Sequence, residues 1–377
     1  MIKIAIAHDW LTNMGGAEKV VINFKEIYKD APIYTTVYNP DNLAPELQNI
    51  DVRTSFIQKF KNAKNNHQKY LPFMPTAWEQ FDFNEYDVVL SSSSSCAKGI
   101  VTSPSTMHVC YCHSPMRYAW EFYGEYMSRE KVGKLKKMLI PYIMNYIRIW
   151  DVVSANRVDY FIANSRNVAK RIWKHYRREA DVIHPPVKAS YFNIIDQDEE
   201  YFLIVSRLVA YKRVDLAVEA FNELGLPLVV IGTGPQLEYL KSIAKDNVKI
   251  MGRQPDEVIR EYYAKCRAFI FPGEEDFGIT PLEAQASGRP VIAFGKGGAL
   301  ETVVDKETGV FFSEQTVDSL KRAVNEFKSI NFNKNKIRQH ALQFDEEIFK
   351  EKIKKYIMEK YEQHKEKMSC VGQIYKG

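Results

Sequence analysis

"RAFIFPGEEDFGITPLEAQASGRPVIAFGKGG", residues 267–298, holds one complete repeat of the pattern that runs through this chain. An apolar run (267–274) breaks at Pro272-Gly273 and passes into three carboxylates, Glu274, Glu275 and Asp276. A helix-compatible segment follows, and a second apolar run begins near 289 and ends in glycines. Short Val/Ile-rich strands with polar carboxyl ends, joined through helices, belong to parallel sheets covered on both faces. Thr280-Pro281-x-Glu283 has the form of a helix start: Thr as N-cap, Pro at the first helical position, Glu at the third. Glu283 therefore has a structural reading as the acid of a capping box. Gly278 and Ile279, just upstream, would leave backbone N–H groups open at the positive end of a helix, a seat for phosphate. A capping box alone does not call for a glycine and an acid in front of it, so the functional reading is preferred.

Working outward, the same pattern recurs at 201–208, 226–235 and 247–253, and in the first half at 2–9, 86–94, 107–114 and 158–165. Two strand–helix series of similar size predict two doubly wound α/β domains. The seam is "VIHPPVKASYFNIIDQDEE" (182–200), where two prolines and an acidic stretch interrupt the pattern. We divide the chain into 1–190, 191–343 and a tail 344–377 with helical periodicity in its apolar residues. Ligands of open parallel sheets sit at the carboxyl ends of the strands. Two such domains facing each other would form a cleft walled by those ends. The serine run 91–95 reads as a strand-end loop.

Length and composition limit the alternatives. A 377-residue chain with 45% hydrophobic and 26% charged residues is globular and long enough for two cores. The net charge of +5 is mild, but 58–69 and 128–137 are basic runs in the first half, solvated faces or attraction to anionic headgroups or phosphate. The N-terminus runs into a strand pattern with no signal-like segment. The stretch 138–150 is too short and too interrupted to span a bilayer and predicts a buried or interfacial helix. The five cysteines are uneven and odd in number, which predicts reduced thiols and a cytoplasmic chain. Cys110, Cys112 and His113 read as core packing at a strand end, with no metal site expected.

Five further stretches carry chemistry. In "SRLVAYKRVD" (206–215) a strand ends at Ser206, and Arg207 and Lys212 follow; two cations there can neutralise a diphosphate. In "HDWLTNMGGAEKVV" (8–21) Gly15 and Gly16 join the first strand to the first helix, by plain turn or by close approach to a ligand. That pair is not G-x-G-x-x-G, which disfavours a nicotinamide site. His113, in "CYCHSPMRYAWE" (110–121), ends a strand of the first domain. "IGTGP" (231–235) and "MGR" (251–253), with Gly252 and Arg253, end strands of the second.

Taken together, "GGAEKV", "HSPMRYAW", "ANSRNVAKRIWKHY", "VIHPPV", "SRLVAYKRVD", "IGTGP", "MGR" and "PGEEDFGITPLEAQASGRPVIA" resemble, in order, the family 4 retaining glycosyltransferases. The resemblance covers 1 to about 310. Its most specific element is E-x7-E, which Glu275 and Glu283 satisfy; Glu274 is out of register. It implies a GT-B fold, two Rossmann-like domains with a C-terminal helix crossing back to the first. It further implies that Arg207 and Lys212 bind the donor diphosphate, that Glu283 meets the nucleotide ribose, and that Glu275 meets the donor sugar. Phe277, Gly278, Ile279 and Thr280 would lie over the sugar and phosphates, Gly16 against the diphosphate, and His113 near the sugar. The expected activity is metal-independent, retaining transfer of a hexose to a glycan or lipid-linked oligosaccharide, with mannose favoured. No cofactor is expected beyond the nucleotide sugar as substrate, a GDP-sugar in preference to a UDP-sugar. An anionic membrane surface on the inner face is a candidate partner; nucleic acid is not. The rival readings are a sugar-nucleotide epimerase of similar build and a catalytically silent sugar-nucleotide binder.

Overall fold

The apolar runs of each half assemble into a separate parallel sheet. In the computed structural model, which describes residues 2–121, 134–195 and 199–374, the chain divides into Met1–His184 with Lys350–Gly377, and Pro185–Phe349.

The first unit carries β1 (Ile4–His8), β2 (Ile33–Thr35), β3 (Val52–Thr54), β4 (Val88–Ser93), β5 (Met107–Cys112), β6 (Tyr160–Ala163) and β7 (Asp181–Val182). Their spatial order is β3-β2-β1-β4-β5-β6-β7, every pairing parallel. β1, β4 and β5 are buried along their whole length. Ala5, Ala7 and Val89 pack with Trp78, Met144, Ile147 and Trp150; Cys110, Cys112 and Phe161 pack with Val168, Ile172 and Tyr176. From Lys350 the C-terminal helix Glu346–Ile374 belongs to this unit. It is tied there by Tyr356, whose hydroxyl donates to Asp181 at 2.9 Å, and by a Lys350–Glu26 ion pair at 2.5 Å.

The second unit carries β8 (Phe202–Val205), β9 (Leu228–Ile231), β10 (Val248–Gly252), β11 (Ala268–Phe271), β12 (Val291–Phe294) and β13 (Gly309–Phe312), in the order β10-β9-β8-β11-β12-β13. Alternation along the strands sends Phe202, Ile204, Ile270 and Ile292 to one core, with Leu216 and Phe221 of the helix Val214–Leu224. It sends Leu203, Phe269, Phe271 and Val291 to the other, with Tyr263, Leu282 and Ala286.

In both sheets the first strand lies inside, and the chain builds outward on one side before returning to build on the other. The strand order therefore reverses between β1 and β4, and again between β8 and β11. Such switch points open crevices at the carboxyl ends of the strands, where ligands of open α/β sheets bind.

Among the described residues no helix is long and apolar enough to cross a membrane. The first part of the basic run 128–137, residues 128–133, lies outside the described residues.

Candidate active site

In the second unit the switch point is flanked by the segments that leave β8 and β11. Ser206 extends β8, its N–H donating to the Ile231 carbonyl at 3.0 Å, and Leu208 donates to Thr233 at 2.9 Å. The chain then makes one tight turn, Ala210–Lys212, before the helix Val214–Leu224. Gly273 follows β11 and lies against that turn: a Cβ there would sit 2.8 Å from Lys212 Cα. The close approach brings Lys212 onto Glu275, where Nζ and Oε1 form an ion pair with side chains only 16% and 19% exposed. Ser206, Lys212, Gly273 and Glu275 line one pocket. Arg207 is exposed, and its guanidinium has no partner among the described residues. Arg213 instead turns toward Asp215, Nε to Oδ1 at 3.4 Å. Glu274 is exposed.

The helix after Glu275 begins earlier than the sequence predicts. It runs Ile279–Ala286 with Gly278 as N-cap in the left-handed region (φ 91°, ψ 84°), and no side chain caps it. Thr280, Pro281 and Glu283 are therefore its second, third and fifth residues, and the capping-box reading fails. Glycine is the residue that adopts this backbone without steric cost, so the turn into the helix is made at 278 and not at 280. Pro281 is tolerated because N–H groups of the first turn have no intrahelical partner in any case. For the same reason the Ile279 and Thr280 amides stand at the positive end of the helix without intrahelical acceptors.

Glu283, freed from capping, is buried and accepts the Tyr263 hydroxyl at 3.0 Å. Burial, and then the Glu283 charge, push the Tyr263 phenol well above its ordinary range, so it stays a donor. Phe277 is buried with its ring 5.9 Å from that of Phe344. The backbone between the two acids is braced by the glycines after β12: Gly298 N–H donates to the Glu275 carbonyl at 2.8 Å. Gly252, left-handed at φ 69°, and the exposed Arg253 close β10 and are not among the residues lining this pocket. Gly252 accepts from Gly232 N–H at 2.9 Å.

The first unit has its own constellation at the β1/β4 switch point. His8 Nε2 lies 3.4 Å from Glu18 Oε1, and His8 Nδ1 lies 3.1 Å from both the Ser92 carbonyl and Oγ. Ser92 Oγ is in turn 2.7 Å from His113 Nε2. Burial pulls the His8 pKa down, but the Glu18 hydrogen bond and the Glu18 and Asp9 charges outweigh it, and the value is raised. His113, half-buried, is held down to about 3 by burial and by His8, so it is neutral. When His8 is protonated it can only donate to Ser92; the serine hydroxyl is then free to donate to His113 Nε2, which would leave the His113 proton on Nδ1. Gly15 is extended (φ −155°), and its missing Cβ leaves room for the Glu18 carboxylate, Oε2 of which lies 2.9 Å from where that atom would be. Gly16 opens the helix Gly16–Ile27. Asp9 accepts the Ser94 and Ala97 N–H groups at 2.6 and 2.7 Å, which folds the serine run over β1.

Known proteins resemble both halves of the chain. The profile described as Glycosyltransferase Family 4 matches residues 14–191, and that described as Glycosyl transferases group 1 matches 190–344. The chain belongs to the family 4 glycosyltransferases. The alpha-1,3/1,6-mannosyltransferase ALG2 of Dictyostelium discoideum is 24% identical to this glycosyltransferase over 402 residues, covering 89% of this chain and 92% of that one. A GDP-mannose-dependent alpha-(1-6)-phosphatidylinositol monomannoside mannosyltransferase of Mycolicibacterium smegmatis is 34% identical over 145 residues, 34% of this chain and 38% of the relative. In structure, Anabaena Alr3699/HepE, solved with UDP, has a TM-score of 0.69 at 17% identity, covering 95% of this chain and 100% of its own. Sucrose-phosphate synthase of Thermosynechococcus elongatus has a TM-score of 0.72 at 15% identity, over 96% of this chain and 100% of its own. These likenesses establish the GT-B fold.

Several residues of the glycosyltransferase's two constellations were not singled out from sequence: His8, Glu18, Ser92, Tyr263 and Gly273. Polar residues at the ends of apolar runs were a signal for His8 and Ser92. Nothing local marks Tyr263, one of many helix tyrosines. Among the described residues no group of three His, Cys, Asp or Glu side chains is placed to hold a metal ion.

Proposed function

We propose that this glycosyltransferase moves a mannosyl residue from a GDP-sugar to a glycan or lipid-linked glycan, with retention at the anomeric carbon and without a metal ion. The observation that carries the reading is the Lys212–Glu275 pair at the β8/β11 switch point, beside the uncapped start of the helix Ile279–Ala286. A diphosphate placed there meets Lys212 as a point charge, Arg207 as a fork and the amides of Ile279 and Thr280 as neutral donors. Mannose is supported by the names of two relatives, and a GDP carrier and a lipid-linked acceptor by one of them. UDP in HepE keeps a UDP-sugar as the alternative carrier.

The reaction needs the bond between the anomeric carbon and the diphosphate oxygen to break, with its electron pair leaving on the diphosphate. Arg207, Lys212 and the helix amides stabilise that charge as it grows. The acceptor hydroxyl attacks from the same face, and its proton passes to the departing phosphate oxygen. Glu275, engaged by Lys212, acts as a hydrogen-bond acceptor for sugar hydroxyls, not as a nucleophile. Glu283, its rotamer fixed by Tyr263, accepts the ribose hydroxyls.

The test is incubation with GDP-mannose, UDP-glucose and UDP-galactose, following nucleotide release and the anomeric configuration of the product by NMR. Release of GDP from GDP-mannose, insensitive to EDTA, with an α-mannoside product is expected. Release only from a UDP-sugar, inversion, or loss of activity with EDTA would each overturn the corresponding clause.

A further inference from the structure

A surface helix ordinarily turns its charged side to water. From Met138 onward, the helix Lys134–Ala155 does not. Met138, Leu139, Tyr142, Tyr146, Ile149 and Val153 are 46–74% exposed. The other exposed positions of that stretch are Pro141 and Asn145, so no exposed position from 138 to 153 is charged; Arg148 is half-buried and donates through Nε to the Ala119 carbonyl at 2.6 Å. Positions 138, 142, 146, 149 and 153 advance in steps of three and four, which places them on one stripe. These six make up six of the fifteen large apolar side chains exposed among the described residues, so the exposure is concentrated and not scattered.

The stripe is not a core face turned the wrong way. The opposite side is anchored: Met144, Ile147 and Trp150 lie in the core. Asp151 accepts from Lys98 Nζ at 2.5 Å, Trp120 Nε1 at 2.8 Å and the Tyr176 hydroxyl at 2.9 Å, all inside the protein. Rotating the helix would expose that network and bury nothing better.

Tyr176 closes the neighbouring helix Arg166–Tyr176, so the Asp151 bond joins the two helices. The exposed residues of that second helix and its following residue are Arg166, Lys170, Trp173, Lys174 and Arg177. No acid occurs between 166 and 178. The apolar helix itself opens on Lys134, Lys136 and Lys137 in sequence.

We propose that these two helices form a lipid-facing surface. The apolar stripe would lie at the headgroup–acyl boundary of an anionic bilayer, and the basic helix beside it would hold headgroup phosphates. An uncharged stripe flanked by cations and aromatics is the chemistry of an interfacial helix. Tyrosines suit the interface because the ring is apolar and the hydroxyl stays wet. The neighbouring cations give the surface a preference for anionic lipid over an uncharged protein partner. The proposal does not depend on the donor assignment above.

The experiment uses the full chain with vesicles of phosphatidylcholine, with and without phosphatidylglycerol, read by cosedimentation at low and high salt. The protein is expected to partition onto the anionic vesicles and to be released by salt. Tyr142→Gln/Ile149→Gln should weaken partition by at least roughly tenfold, given the apolar area each side chain would bury. Lys170→Gln/Lys174→Gln should weaken it by roughly 30-fold, at about fivefold per basic residue, and remove the anionic preference. Unfolding midpoints and lipid-free hydrolysis of the sugar nucleotide should stay at wild-type values in both variants, which separates a failure here from a failure of the donor reading. Three results overturn the proposal: wild-type protein left in the supernatant, partition unchanged in either variant, or a lipid-free dimer that Tyr142→Gln/Ile149→Gln dissociates, which would assign the stripe to a second copy.

Discussion

Replacing Lys212 by Ala perturbs the donor site in two ways that can be told apart. In the proposed donor site the lysine is one of two cations offered to the leaving diphosphate. Loss of a single preorganised donor of this kind costs about 10²–10³ in kcat. The second effect comes from its partner. Glu275 is only 19% exposed and is paired to Lys212; with the lysine gone, a carboxylate stands uncompensated at the proposed diphosphate seat. Groups in direct contact couple by about 0.5–3 kcal/mol. Lys212→Ala should therefore lose more GDP affinity than Lys212→Ala/Glu275→Gln, and the double variant should recover binding without recovering turnover. Glu275→Gln alone releases Lys212 to the nucleotide, so GDP should bind more tightly while kcat falls. Calorimetry with GDP and nucleotide release from GDP-mannose measure the two halves. A Lys212→Ala enzyme within tenfold of wild-type kcat refutes the electrostatic assignment. Additive effects of the two substitutions on GDP binding refute the pairing argument.

Ser92→Ala removes the hydroxyl bonded to His113 Nε2. It should lower kcat roughly tenfold, by analogy with loss of one hydrogen bond of about 1–1.5 kcal/mol, with GDP affinity unchanged and activity restored by Ser92→Thr. Lys98→Met strands the buried Asp151. Breaking a buried ion pair costs about 3–5 kcal/mol, and the lower end is expected here because Trp120 and Tyr176 still donate. Urea unfolding reads that loss, and Lys98→Met/Asp151→Leu should recover much of it. Stability should also fall on acidification. Burial holds His108 down to about 3 and His67 to about 4, so between those values and about 6.5 the unfolded chain binds more protons, at about 1.4 kcal/mol per pH unit for each histidine. Their contribution is complete above about pH 6.5 and is lost as pH falls toward 3–4. His8, with its value raised, acts oppositely: its contribution is complete below its unfolded value and is lost as pH rises through the folded one. Urea midpoints from pH 7 to 4 should decline, and His108→Gln should flatten the decline; an equal slope would remove His108 from the account.

How much of this was legible depended on whether the signal was local. The central strands are readable because burial on both faces leaves an unbroken apolar run, as in β8 and β9. The short strands β2 and β3, three residues each, and the two-residue edge strand β7 carry too few positions for any period to show. The helix start at 279 was misread because Thr-Pro-x-Glu fits a cap by spacing, while the backbone cost is settled by Gly278, whose left-handed turn a spacing rule does not weigh. The Lys212–Glu275 and His8–Ser92–His113 contacts join residues remote in sequence, and they follow from strand order. Each unit begins with the strand that ends up inside its sheet. The loop after that strand, 9–15 in the first unit and 206–213 in the second, is thereby delivered to the point where the order reverses. The next strand added on the far side, β4 or β11, supplies the facing residues Ser92 and Gly273 through Glu275. A sequence shows which strand ends are polar; only the pairing of β1 with β4 and β8 with β11 decides which of those ends meet.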